Sequence, residues 1–381
     1  MKNKFKLFYL ILNNLLKFEF CFNWPYRSNV LLYSRDTKIL TKVFNKDSIN
    51  KLILDRNIIN IFMLILTLLK FRLSFFEYCK TYIKILNPKI IITRTDNDIN
   101  FYKLKYFFPD VKFISVQNGY RFQGRDWFQD LEKNYKKTKK KLTTDYLFCF
   151  NKYYANYLNK YVSFIPIIIG SYKNNFEKLK KNVTNKKDLL FISQINPYRN
   201  DFKKFYSLEK KILPIISQYC KKKKLKLFIL PRGSAAEANY IKELAFYKSL
   251  PNFTFNFINR KKKDNVYQIL DRFLNILTVD STLGYEALRR RKKVFFFHLR
   301  KFSLNGRIME DKFAWPKENK ANKNFFIKKI DKGSIFKFLS LNIKIKYSEW
   351  LKRNKFSFSD VIHYDNQNTK LKKLIKNLLS N

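Results

Sequence analysis

Short apolar runs alternate with longer segments of helical period along nearly the whole chain. In the first half the runs with strand character are Val30–Tyr33, Lys89–Thr93, Lys112–Val116, Tyr146–Phe150 and Ile165–Ile169, with helical stretches between them. Such alternation builds parallel sheets covered by helices. The segment Lys178–Asp188, KLKKNVTNKKD, is polar and aperiodic and predicts a linker. The alternation then restarts with strands at Leu189–Ser193, Leu225–Leu230, Phe253–Ile258, Asn275–Val279 and Lys293–Phe297. Helices are predicted at Phe202–Lys222, Ala235–Leu250, Asn265–Phe273 and from Leu283. Beyond Phe302 the pattern loosens, and Gln367–Leu379 predicts a closing helix. The expectation is an α/β protein with a first domain over 1–177, a linker over 178–188, a second domain over 189–345 and a terminal segment over 346–381.

A length of 381 residues agrees with two cores. The formal charge of +50, from 79 Lys and Arg against 29 Asp and Glu, suggests nucleic acid or an anionic surface as partner. However, abundant Lys, Asn, Ile and Phe with only 7 Gly and 9 Pro is the composition that A/T-rich coding produces in any protein. Nucleic acid is therefore not expected, whereas attraction to anionic lipid is a plausible by-product of the charge. The lysine runs Lys136–Lys141 and Lys221–Lys224 read as solvated helix ends. Cys21, Cys79, Cys149 and Cys220 are widely spaced with no CxxC pair, which fits a reducing compartment. His298 and His363 are the only histidines, so no Cys/His zinc site is expected.

The start, MKNKFKLFYLILNNLLK, resembles a signal peptide in its basic opening and apolar run, but no small-residue cleavage site follows. Phe5, Phe8, Leu12, Leu15 and Leu16 share one helical face, which predicts an amphipathic helix. The run Asn57–Leu69 falls short of the ~20 residues a membrane span needs. A cytoplasmic protein, peripheral on the inner face of the membrane, is expected.

Ligands of open parallel sheets bind beyond the carboxyl ends of the strands. Four such junctions stand out: TRTDND after Thr93, QNGYR after Val116, PRGS after Leu230 and DSTLGYEALRRR after Val279. The last is the most informative. Asp280, Ser281 and Thr282 precede a helix carrying Gly284 and Glu286, and outward N–H groups at a helix start favour a diphosphate. Ser281 equally fits a plain helix cap, and Glu286 a surface acid. Glycine scarcity adds weight, since Gly119, Gly170, Gly233 and Gly284 all fall at or just after strand ends. Arg232, beside Gly233, suits a diphosphate as a bidentate donor. Asp96 and Asp98, past Thr93, are candidates for a general base, and their Asp-Asn-Asp pattern is also one that holds Mg²⁺ or Mn²⁺.

The stretches NPKIIITRTDNDINFYKL, FISVQNGYR, IGSYKNN, VDSTLGYEALRRRKKVFFF, FAWP and YSEW resemble the surface-carbohydrate biosynthesis transferases of bacteria, a family similar to GT-B glycosyltransferases. The resemblance covers nearly the whole chain. It implies two Rossmann-type doubly wound domains facing a cleft, a nucleotide-activated sugar in the C-terminal half, a glycan or lipid-linked acceptor in the N-terminal half, and no obligatory metal. By position, Arg232, Gly233, Asp280, Ser281, Thr282, Gly284 and Glu286 would bind the donor. Asp98, Gln117, Asn118, Gly119 and Arg121 would lie on the acceptor side. Relatives often carry His-Gly where this chain has Asn118-Gly119, and an amide cannot take a proton, which moves the base to Asp96. The competing functions are a basic nucleic-acid binder, with steeply salt-dependent affinity, and a non-catalytic protein of the same fold.

Overall fold

The structure is a computed structural model that describes residues 19–33, 40–44, 49–52, 58–70, 74–120, 127–179, 183–198, 206–235, 237–297, 301–304, 307–310, 326–327, 329–354 and 361–380. The amphipathic helix expected at the start, Arg121 and His298 lie outside the described residues.

The chain divides into two compact units. One comprises 1–118, 130–173 and 368–381, and the other comprises 119–129 and 174–367. The first contains strands β1 (Glu19–Cys21), β2 (Val30–Tyr33), β3 (Ile49–Leu52), β4 (Ile58–Asn60), β5 (Ile90–Thr93), β6 (Lys112–Val116), β7 (Leu142–Cys149) and β8 (Val162–Ile168). Six of them form a parallel sheet in the order β3-β2-β5-β6-β7-β8, and β1 pairs with β4 apart from it. All four residues of β2 and of β5 are buried, as parallel strands covered on both faces require. Pro166 sits in β8, an edge strand, where a missing N–H costs no ladder bond on the open side. Helix Phe75–Leu86 is capped by Ser74, which accepts from the Glu77 N–H, and it ends on Asn87 in the left-handed conformation. The closing helix Thr369–Ser380 belongs to this unit.

The second unit is built on β9 (Asn185–Ile192), β10 (Leu227–Leu230), β11 (Asn256–Phe257), β12 (Phe273–Thr278) and β13 (Lys293–Phe296), parallel in the order β11-β10-β9-β12-β13. A hairpin follows, β14 (Lys301–Leu304) with β15 (Arg307–Glu310). Strand β9 begins at Asn185, so the last four residues of the polar segment extend the sheet. Asn185 and Asp188 bond each other, and the Asn275 amide donates to the carbonyls of Lys186 and Lys187 where the β9–β12 register shifts. Polarity here satisfies a bulge and does not signal a loop. Helix Ser207–Lys222 ends in the exposed lysine run 221–224. Among the described residues no helix is long and apolar enough to cross a membrane.

Candidate functional site

In the second unit the chain builds outward from β9 through β10 to β11, then returns to the other side of β9 with β12 and β13. The topological switch point therefore lies between β9 and β12, which is where an open α/β sheet leaves a crevice at its carboxyl edge. Asp280, Ser281 and Thr282 follow β12 at this point, and Gln194 follows β9. The Asp280 N–H donates to Gln194 Oε1 at 3.2 Å, tying the two strand ends together.

Helix Thr282–Arg289 starts there. Ser281 is its cap and accepts from the Leu283 N–H at 3.3 Å. Thr282 Oγ1 accepts from the Tyr120 N–H at 3.1 Å, so the hydroxyl keeps its own hydrogen for donation. A β-carbon on Gly119 would come 3.1 Å from the same oxygen. Tyr120 stacks on Tyr285 with centroids 3.7 Å apart, and its hydroxyl donates to the Val361 carbonyl. Gly119 and Thr282, assigned from sequence to opposite halves, thus meet within one compact unit. Gly284 serves packing: a β-carbon would lie 2.6 Å from Thr278 Cγ2 and 3.1 Å from the Phe296 ring. Glu286 is buried and accepts from the Tyr267 hydroxyl at 3.0 Å, which joins its helix to Val266–Asp271.

The loop after β10 is held from below. Glu243 is fully buried, and both its oxygens accept from the Arg232 N–H at 3.1 Å, while the Gly233 N–H reaches one of them at 3.5 Å. Burial raises the Glu243 pKa, against the opposing pull of Ser193 and these N–H groups. The Arg232 side chain is exposed, and its carbonyl accepts from Arg260 at 2.9 Å.

The first unit switches direction between β2 and β5. Tyr33, the last residue of β2, donates through its hydroxyl to Asp98 Oδ2 at 3.2 Å. Burial, Cys79 and Asp98 raise the Tyr33 pKa, so it remains a donor. Asp98 also caps helix Ile99–Leu104 through the Asn100 N–H. Asp96 is fully buried. Its Oδ1 accepts from the Asn118 N–H and its Oδ2 from the Tyr154 hydroxyl, both at 3.1 Å. Gln117 is buried and accepts from the Phe150 N–H at 2.7 Å. The two carboxylates of the Asp-Asn-Asp pattern therefore serve different partners, and among the described residues no three His, Cys, Asp or Glu side chains group as metal ligands.

The profile of the family described as "putative O-antigen biosynthesis protein" matches residues 114–379. The chain belongs to this O-antigen biosynthesis family. No curated protein matches its sequence. Among solved structures, the UDP-GlcNAc 2-epimerase of Methanocaldococcus jannaschii is similar at a TM-score of 0.50 and 14% identity, covering 93% of this chain and 99% of that one. The Staphylococcus aureus MnaA–UDP structure gives 0.51 and 12%, covering 94% and 97%. The UDP-GlcNAc 2-epimerase of Neisseria meningitidis gives 0.50 and 12%, covering 93% and 99%. The fold is GT-B-like, with two Rossmann-type halves.

Within the region matched by the family profile, Arg290, Lys292 and Lys293 of the basic run after helix Thr282–Arg289 are buried, while Arg291 is exposed. Arg290 is buried, pairs with Asp271 through Nε at 2.8 Å, and donates to Asn174 Oδ1 and the Lys178 carbonyl. Lys292 donates to the Asp271 carbonyl at 2.6 Å, and Lys293 donates to the carbonyls of Asn342, Ile343 and Ile345 at the end of helix Lys332–Ile343. Burial pushes both lysines down to about 8. Sequence reasoning missed Gln194, Tyr267, Glu243 and Tyr154, because each acts through a partner distant in the chain. Tyr120 was adjacent to a named motif, but its stacking on Tyr285 has no sequence signature.

Proposed function

We propose that the protein is a glycosyltransferase that moves a sugar from a nucleotide-activated donor to a growing surface polysaccharide or lipid-linked acceptor, working against the inner face of the cytoplasmic membrane. The observation that carries this reading is the coincidence of Asp280–Thr282, a helix start and Gln194 at the switch point of the second sheet. Solved structures of the same fold hold UDP or UDP-GlcNAc, which supports a nucleotide sugar as the ligand class. Arg232 and the Thr282 hydroxyl are assigned to the diphosphate. Glu286, tied to Tyr267, fixes the helix start and lines the sugar side. Asp98 and the Asn118–Gly119 turn belong to the acceptor side, and no metal ion is required. Asp96, held by the Asn118 N–H and the Tyr154 hydroxyl, acts as a positioning residue for that turn.

A thermal-shift panel of UDP-, GDP-, CMP- and dTDP-sugars tests this, since a ligand of the folded state raises its stability. One nucleotide class is expected to stabilise the protein, and Arg232→Ala and Thr282→Ala to weaken that effect. No stabilisation by any of them, or variants that bind like wild type, would overturn the assignment. Conversion of the donor sugar to its C2 epimer without an acceptor would mark an epimerase instead.

A further inference from the structure

Among the described residues, the first unit carries an apolar surface that its packing leaves uncovered. Residues 20–26 place aromatic side chains at every second position, and Phe22, Trp24 and Tyr26 are 67%, 55% and 57% exposed. This segment lies beside helix Ile61–Leu68: β1 pairs with β4, the Asn60 amide donates to the Asn23 carbonyl at 2.7 Å, and Trp24 meets Phe62 with centroids 5.6 Å apart. The helix, IFMLILTL, contains no charged residue. Met63 and Thr67 face inward, toward the unit's core, while Ile65 is 47% and Leu69, just past the helix, 69% exposed. A helix apolar on both faces, with one face solvent-exposed, is out of place on an ordinary protein surface.

Among the described residues, Arg27 and Lys70 lie exposed beside this surface with Glu19, and the chain as a whole carries a formal charge of +50. The stretch leading into β1, residues 1–17, is itself basic at Lys2, Lys4, Lys6 and Lys17 and uncharged from Leu7 to Leu16. Aromatic side chains beside basic ones match the headgroup boundary of an anionic bilayer, where ring bodies bury and cations meet lipid phosphate.

We infer that the surface formed by Phe22, Trp24, Tyr26, Phe62, Ile65 and Leu69 inserts into the headgroup region of an anionic membrane. This rests on the proposal that the protein works at a membrane, and it adds an apolar, site-specific component to what charge alone would provide. The full chain is floated with phosphatidylethanolamine vesicles containing phosphatidylglycerol, at low and high salt, as wild type and as Phe22→Ser/Trp24→Ser and Ile65→Ser/Leu69→Ser variants. Ile241→Ser, at an exposed apolar position of the second unit, is the control. Wild type and control are expected to bind with a fraction that survives high salt. Each double variant is expected to lose binding on the order of tenfold or more while unfolding at the wild-type temperature. Equal binding by variants and wild type would overturn this surface and leave a purely electrostatic membrane contact. Absence of wild-type binding would overturn the membrane reading altogether. Conversion of a wild-type dimer to monomers by the same variants, read by sedimentation, would assign the surface to a second copy of the chain.

Discussion

The N–H of Tyr120 donates to the side-chain oxygen of Thr282 at 3.1 Å, so Tyr120 is fastened to the first residue of the helix at the switch point of its own unit's sheet. Thr282→Val keeps the shape but removes the acceptor. It is expected to cost about 0.5–1.5 kcal/mol in chemical denaturation, in line with a single hydrogen bond, and to weaken nucleotide binding by calorimetry. Thr282→Ser, which keeps the hydroxyl, should lose little of either. A valine variant with wild-type binding would remove Thr282 from the donor site.

Gly284 is required by the strands beneath it. Gly284→Ala places a methyl 2.6 Å from Thr278 Cγ2, and overpacking of this kind typically costs about 1–3 kcal/mol. Thr278→Ser removes that methyl while keeping the hydroxyl that accepts from the Ser281 N–H, and it should restore part of the loss. Urea unfolding of the single and double variants measures this. Additive destabilisation would contradict the contact.

Asp96→Asn separates two roles. The amide oxygen can still accept from the Asn118 N–H, and the amide group can donate to the Tyr154 oxygen. As a positioning residue Asp96 should tolerate the change with turnover reduced only a few-fold. A fall of roughly 10²–10⁴-fold, with donor affinity intact, would identify it as the proton acceptor expected from the sequence.

Lys292 and Lys293 give the fold a dependence on alkaline pH. Burial lowers both to about 8 from the ordinary 10.5, so between these values the unfolded chain binds more protons than the folded one. Stability therefore carries a penalty at neutral pH that is relieved as pH rises through about 8 toward 10.5. Lys292→Met should show a smaller rise than wild type over that window, read as the difference between their denaturation midpoints. Parallel pH profiles would show that Lys292 titrates normally.

Sequence alone determined the layered architecture. Apolar runs such as Val30–Tyr33 and Lys112–Val116 have no stable place except inside a covered parallel sheet, and the structure puts strands on those same residues. The strand-end positions of Asp98, Arg232 and Asp280 were legible for the same reason, since a junction is where one periodicity stops and another begins. Which strand neighbours which was not legible. Strand order follows from how helices pack on each face, so only the tertiary structure located the switch points at β9–β12 and β2–β5. The conformational demand at Gly170, whose φ is 80°, and the close packing at Gly284 give distinct reasons for two of the scarce glycines that the sequence could only count. Tertiary structure also decided what the charges do. Arg290, Lys292 and Lys293 stand in a basic run of the sequence, yet they lie inside, because Asp271 and the carbonyls ending helix Lys332–Ile343 reach them from far along the chain. Burial with a partner is a property of three-dimensional neighbours, and residue type and spacing do not encode it.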